Sequence, residues 1–376
     1  MNIFYQSIKY LSFLLFITLL LSCSKQDNTI VIHPLDSSSD SFSIRTVRTI
    51  KLSNDSKALI GYIDKLLVHK NYVYVLDKKK VSSLLIFDLK GDLVNRIPRG
   101  KGPGELVSVI SFGIINEKLV ILDNFDMKHY SLNGQFEYSI KMPEGWYAWS
   151  FLEIDDNKVL IHGSASLENS MQPEFMDEYH LVDDKFSKCF GSYSILKKDF
   201  IGFMGDQPAS SYNGRVLVSA IPYNFLYELA GTEFNKKYFV DFEGFNFLDS
   251  EIEKGSQNFK SLYMSGKRYG RIDNIIENQS FIHFSYWAWI GDKGNIVPVI
   301  YSKELKKAAR FTDVLKKEGL PKLTVSHVVE EELVCFLRPA GLSEEEIESI
   351  NRSDLIESII TANSNPIVVI IEVLVN

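Results

Sequence analysis

Val68-His-Lys-Asn-Tyr-Val-Tyr-Val-Leu-Asp77 sets a polar turn against a short apolar strand, and the same figure returns at Ile115-Asn-Glu-Lys-Leu-Val-Ile-Leu-Asp123. It recurs at Ile154–His162, Tyr212–Ser219, Ile276–Phe284 and Val329–Phe336. The apolar anchors Val75, Ile121, Ile161, Val218, Phe284 and Phe336 lie 46, 40, 57, 66 and 52 residues apart. Intervals of that size suit a four-stranded unit with loops of unequal length. One such unit cannot cover both its faces alone, so the units must pack on one another.

A second figure follows the first. Phe87-Asp-Leu-Lys-Gly-Asp-Leu93 aligns with Tyr130-Ser-Leu-Asn-Gly-Gln-Phe136, and Tyr179, Tyr227 and Tyr301 lead looser versions. Gly91 and Gly134 fall where a tight hairpin needs positive φ. Each unit therefore reads as strands A, B, C and D from the inside outward. The last unit ends at Asn365-Pro-Ile-Val-Val-Ile-Ile-Glu-Val-Leu-Val375, which supplies C and leaves nothing for D. Ile44–Leu52 alternates apolar and polar residues with no unit of its own. The pattern predicts an all-β fold, a six-bladed β-propeller of four-stranded antiparallel blades closed by this N-terminal strand. Closure of that kind removes exposed edges. Two small helical insertions are expected, at Phe245–Asp273 and from the capping box Ser343-Glu-Glu-Glu346 onward.

The N-terminus carries Lys9 and then an apolar run, Leu11–Leu21, too short to span a bilayer and of signal-peptide length. It stops at Leu20-Leu21-Ser22-Cys23, which resembles a bacterial lipobox. The resemblance implies cleavage before Cys23 and its acylation, and several chains on one residue anchor firmly. The domain plan is a signal peptide at 1–22, a polar tether at 23–41 and one propeller domain at 42–376. Cys189 and Cys335 then remain, both in apolar strand contexts that suit buried free thiols. A hydrophobic content of 45% with 24% charged residues is globular. The net charge of −7 argues against a nucleic-acid partner, whose phosphates need a basic surface.

With the repeats in place, the chain resembles the six-bladed β-propeller lipoproteins of Bacteroides-type bacteria, which are similar to NHL-repeat propellers. The lipobox at Cys23, Ile86-Phe-Asp-Leu-Lys-Gly-Asp-Leu93, Arg96-Ile-Pro-Arg-Gly-Lys-Gly-Pro-Gly-Glu105 and Asn365-Pro-Ile-Val-Val-Ile carry the resemblance. It implies the propeller fold and a cell-envelope location, lipid-anchored at the outer membrane, on its periplasmic or surface side. It supplies no catalytic residues.

Gly100-Lys-Gly-Pro-Gly-Glu105 lacks the Gly-Lys-Ser/Thr ending and the strand-then-helix setting of a phosphate loop, and reads as a chain reversal from D to the next A. If D–A links occupy one face, B–C links must share it. That face would carry Arg99, Lys101 and Glu105, with Trp146 and Trp149 at the third A strand and Trp287 and Trp289 at the end of the fifth B strand. Such rings either plug the funnel between blades or form a recognition surface for a sugar or a protein loop. His33, His69, His129, His162, His180, His283 and His327 form no metal-binding spacing, and no Gly-x-Ser-x-Gly occurs. The sequence thus predicts a monomeric envelope binding or scaffold module, without a cofactor, for a glycan, peptide or protein partner. The alternative is a propeller enzyme, a metal-dependent lactonase-like hydrolase or a lyase, with carboxylates converging on the central channel.

Overall fold

A computed structural model describes residues 29–35, 38–124, 126–142, 146–155, 158–165, 172–180, 185–187, 209–219, 223–230, 233–290, 293–352 and 359–376. Two strands open the chain, β1 (Ile30–Ile32) and β2 (Phe42–Lys51). The first blade is β3 (Lys65–His69), β4 (Tyr72–Asp77), β5 (Ser83–Asp88) and β6 (Leu93–Ile97). The second is β7 (Val109–Ile115), β8 (Lys118–Asp123), β9 (Asp126–Tyr130) and β10 (Phe136–Lys141). The third is β11 (Trp146–Asp155), β12 (Lys158–Ala165), β13 (Gln172–His180) and β14 (Lys185–Ser187). Next come β15 (Ala209–Tyr212), β16 (Arg215–Ser219), β17 (Phe225–Ala230) and β18 (Glu233–Val240). The helices α1 (Asp249–Ile252) and α2 (Ser256–Met264) then precede β19 (Gly270–Glu277), β20 (Phe281–Ile290), β21 (Lys293–Ser302) and β22 (Lys307–Arg310). Helix α3 (Phe311–Lys317), β23 (Thr324–Val329), β24 (Glu332–Leu337), α4 (Glu344–Arg352) and β25 (Ile367–Val375) complete the chain.

The inner strands β3, β7, β11, β15, β19 and β23 touch in that order, and β23 returns to β3. The alternation of β4 explains how neighbouring blades bind. Successive strand residues face opposite ways, so Val73 and Val75 join Val334, Phe336, Val368 and Ile370 of the last blade. Tyr74 and Leu76 point the other way, into Phe112, Leu119 and Ile121 of the second blade. A strand buried on both faces must be apolar throughout, which is why these segments read as continuous runs. The repeat anchors Val75, Ile121, Val218 and Phe284 are fully buried, and Phe336 nearly so. Ile161 lies on β12 and its side chain is outside the described residues.

The A–B turns show why the polar interruptions are where they are. Asn116 and Glu117 both have positive φ, as do Asn213 and Gly214, the backbone that a two-residue hairpin needs to match strand twist. Gly91 does the same at a C–D turn with φ +87°, and a Cβ there would sit 1.9 Å from the Lys51 carbonyl oxygen.

β2 pairs antiparallel with β25, from Phe42 opposite Val375 to Lys51 opposite Ile367, as outer strand of the last blade. Asn365 reinforces this join. Its Oδ1 accepts the Ile60 N–H at 2.9 Å, and its Nδ2 donates to the carbonyl oxygens of Ser53 and Ala58.

The expectation of six four-stranded antiparallel blades is corrected: five blades, not six, are of that kind. The sheet β15–β18 takes β1 along its outer edge in parallel, Ile30 opposite Tyr238 and Ile32 opposite Val240, and so has five strands. The physical reason is the open edge of β18, whose unpaired backbone groups recruit a short β-branched run. Ile30-Val-Ile32 lies inside the stretch read as a tether, where three residues among polar neighbours give little strand signal.

The count of two helical insertions is also corrected. α1 and α2 form the first, and α4 opens on the expected box, the Ser343 Oγ accepting the Glu346 N–H while the Glu346 carboxylate accepts the Ser343 N–H at 2.8 Å. α3 is additional. Its residues Phe311, Val314 and Leu315 recur at helical spacing and are buried against β21 and β25 residues Ile300 and Val369.

Candidate functional site

The D–A loop after the first blade is held shut by its own chemistry. The Gly100 N–H donates to the Leu106 carbonyl at 2.9 Å, and the Gly102 N–H donates to Glu105 Oε2 at 2.7 Å. Gly104 has φ +73°, and a Cβ there would meet Phe136 at 2.6 Å. Glu105 is thus a brace of the loop, with the Gly102 amide turned inward to it.

Asp123 anchors the far side of the same loop. It ends β8, accepts the Val107 and Ser108 N–H groups at 2.9 and 2.6 Å, and pairs with Lys128 Nζ at 2.7 Å. Asp77 occupies the equivalent end of β4, accepting the Gly61 and Tyr62 N–H groups on Oδ2 and those of Lys80 and Val81 on Oδ1. A carboxylate at the end of strand B therefore fixes the chain as it approaches strand A. The repeated pairs Leu76-Asp77 and Leu122-Asp123 were the available signal for this device, and sequence reasoning read them only as the ends of the repeated strand.

Between these two anchors lies a cavity of about 170 Å³. The B–C link of the first blade contributes Lys78 and Ser82, β5 contributes its first residue Ser83, the D–A link contributes Arg99, and Ser108 stands before β7. B–C and D–A links thus meet on one face here. Lys78 Nζ donates to the Ile110 carbonyl oxygen at 3.3 Å, and Lys65 Nζ donates to that of Phe112 at 2.7 Å. Burial, then the charge of Lys78, pushes Lys65 down to about 8.

The tryptophans at the end of β20 occupy a different place on the ring. Trp287 pairs with Gly270 on one side and Ile296 on the other, and Trp289 pairs with Gly294. The Arg271 guanidinium lies over the Trp287 ring, 4.2 Å from its centroid. Tyr263 of α2 meets the Trp289 ring edge to face at 6.1 Å. Both indoles are half-buried against the cluster formed by Phe247, Ile252 and Phe259 beneath the α1–α2 insertion. Burial pushes the Tyr263 hydroxyl up to about 12, with Arg271 pulling the other way. Asn224 Oδ1 lies beside Gly270, 3.4 Å from where a Cβ would stand, and has no hydrogen-bond partner among the described residues. Arg271 and Asn274 of β19 both have positive φ, and the β19–β20 register shifts twice there.

Of the residues expected at the site, Arg99, Lys101 and Glu105 share one loop, and Trp287 and Trp289 share one strand end. No contact joins the two groups among the described residues. Trp146 and Trp149 lie on β11, with Trp149 at a bulge between Ala148 and Ser150, and their side chains are outside the described residues. Cys23 and Cys189 are also outside them. Cys335 is a buried free thiol whose pKa is raised by burial. Sequence reasoning missed Arg271, Lys78 and Ser108, single residues whose role depends on which loops meet. Among the described residues, no three His, Cys, Asp or Glu side chains gather as a metal site, and no helix is long and apolar enough to cross a membrane.

A family model described as a domain of unknown function, DUF4934, matches residues 33–372. The chain belongs to that DUF4934 family. Among solved structures, this DUF4934 chain is similar to a Bacteroides fragilis protein described as exported, with a TM-score of 0.65, 15% identity, and 92% and 99% of the two chains covered. That likeness concerns the fold. The Pan2 WD40 domain of Neurospora crassa matches with a TM-score of 0.45, 9% identity and 82% of each chain. Virginiamycin B lyase of Staphylococcus aureus matches with a TM-score of 0.42, 8% identity, and 88% and 99% coverage. No curated protein matches the DUF4934 chain.

Proposed function

We propose that the chain is an exported binding module of the cell envelope, anchored through lipid on Cys23 at the outer membrane. It holds a glycan, peptide or protein partner on the face of the D–A and B–C links. Trp287 and Trp289 form its recognition surface, joined by Trp146 and Trp149 at the start of the third inner strand. The N-terminal Leu20-Leu21-Ser22-Cys23 and the exported protein of the same fold support this location.

The Arg271–Trp287 stack carries the reading. A guanidinium over an indole places a positive charge beside an aromatic, largely apolar ring. That combination suits a ligand with both a ring or side chain to stack and electron-rich oxygens. Such a ligand is a saccharide or a peptide.

The test is a glycan array and a peptide library probed with the mature chain and its Trp287→Ala variant. The variant is expected to bind the selected ligand at least about tenfold more weakly. Equal affinity for every ligand found would remove this surface from the site.

A further inference from the structure

The cavity at the junction of the first two blades stands in unusual electrostatic surroundings for a chain of net charge −7. Lys78 and Arg99 line the cavity and Arg96 reaches Ser83 on its wall, and none of the three has a carboxylate partner among the described residues. The acids nearby keep their charge but direct it to backbone amides. Asp77 accepts four N–H groups, Asp64 accepts the Lys78 N–H at 2.6 Å, and Glu105 accepts the Gly102 N–H. Asp123 is taken by Lys128 and two amides. Lys79 lies over the Tyr62 ring at 3.9 Å, and Arg96 Nε donates to Ser83 Oγ at 3.1 Å. Lys78 keeps two of its three donors after its bond to Ile110, and the Arg99 guanidinium has no partner among the described residues.

We propose that this cavity is an oxyanion site that takes the sulfate or phosphate ester of a ligand. The donors come from two links: the fork of Arg99 and, further along the same D–A link, the Ser108 hydroxyl, facing Lys78 from the B–C link. A tetrahedral oxyanion presents acceptors to several sides at once, whereas a carboxylate presents two oxygens in one plane. Arginine matches such groups through paired hydrogen bonds, and lysine adds a point charge. The Gly100 and Gly102 amides take no part, because they serve Leu106 and Glu105. The cavity volume of about 170 Å³ suits one such group and not a whole oligosaccharide. The inference deepens the binding reading above and rests on it for the molecule that bears the charged group.

The experiment is calorimetric titration of the mature chain with sodium sulfate and sodium phosphate, with chloride and acetate at matched ionic strength. Saturable binding of sulfate or phosphate is expected, absent with chloride and acetate. Arg99→Gln and, separately, Lys78→Gln should each weaken it by about tenfold, a factor equal to about 1.4 kcal/mol. Lys260→Gln, at an exposed position on α2, should leave it unchanged. N-acetylglucosamine 6-sulfate and glucose 6-phosphate then separate the two ester sources by relative affinity. Absence of saturation, or equal binding by wild type and Arg99→Gln, would overturn the site. Loss of ligand binding in Trp287→Ala with an intact sulfate response would keep the two surfaces distinct.

Discussion

Asp123 and Lys128 form an ion pair at 2.7 Å whose side chains are 1% and 9% exposed, and both partners also hold the loop that leads into the second blade. Asp123 receives the Val107 and Ser108 amides, and Lys128 donates to the Glu105 carbonyl oxygen. The pair therefore couples the end of one strand B to the oxyanion cavity through the loop carrying Arg99. Asp77 performs the amide half of this task in the first blade without a lysine.

Removing the lysine should expose how much the pair matters. Lys128→Met leaves Asp123 charged, buried and short of its main counter-ion, a change that costs on the order of 3 kcal/mol. Lys101→Met, at an exposed position without a partner, should change stability by less than about 0.5 kcal/mol. Urea unfolding of the two variants checks the contrast. Similar midpoints for both would mean that the amides alone hold Asp123.

The join of the chain ends depends on Asn365 in the same concrete way. Asn365→Ala removes two donors to the Ser53 and Ala58 carbonyls and the acceptor for the Ile60 amide. Groups left unsatisfied in a buried place cost about 1–3 kcal/mol each, less where water reaches them. A loss of roughly 3 kcal/mol is expected, with hydrogen exchange accelerating first in β2 and β25. Uniform acceleration across all blades would contradict a local role at the join.

Much of this architecture could be read from the chain because the middle strands are buried on both sides and the hairpin turns demand special residues. Val73 to Leu76 and Asn213-Gly214 each carry their reason locally. β1 could not be read, since three residues become a strand only when the β18 edge is present. α3 was hidden by its short length beside a weak repeat at Tyr301. The site was less legible still. Arg99 and Trp287 stood out as residue types, but the cation over Trp287 comes from Arg271, and Arg99 shares a cavity with Lys78 only when the D–A and B–C links meet.

The membrane anchor has its own test. Cys23→Ala removes the thiol that the lipobox resemblance marks for acylation. Cells fed labelled palmitate should label the wild-type chain and not the variant, and the variant should leave the membrane fraction. Several acyl chains supply the binding that a single chain provides only marginally. Equal labelling of both proteins would place the lipid elsewhere or nowhere.

Acid should weaken the fold through its buried imidazoles. His283 is 2% exposed, and burial pushes its pKa down to about 4, partly opposed by the Asn274 carbonyl oxygen at 3.3 Å. His327 is also pushed down to about 4, chiefly by burial, while its Nε2 accepts the Val68 N–H at 3.0 Å. Both groups bind protons more readily in the unfolded chain, where histidine titrates near 6.5. Their neutral forms therefore favour the folded state fully above that pH, and the advantage drains away as pH falls from about 6.5 to about 4. For His283 the loss across this window is on the order of 3 kcal/mol, since each pKa unit is worth about 1.4 kcal/mol. Urea unfolding at pH 7, 5.5 and 4.5 measures it. His283→Gln should lose stability at neutral pH yet flatten the acid slope, because it removes one group whose proton affinity differs between the two states. An identical slope in the variant would show that His283 is reached by water and titrates normally in the fold.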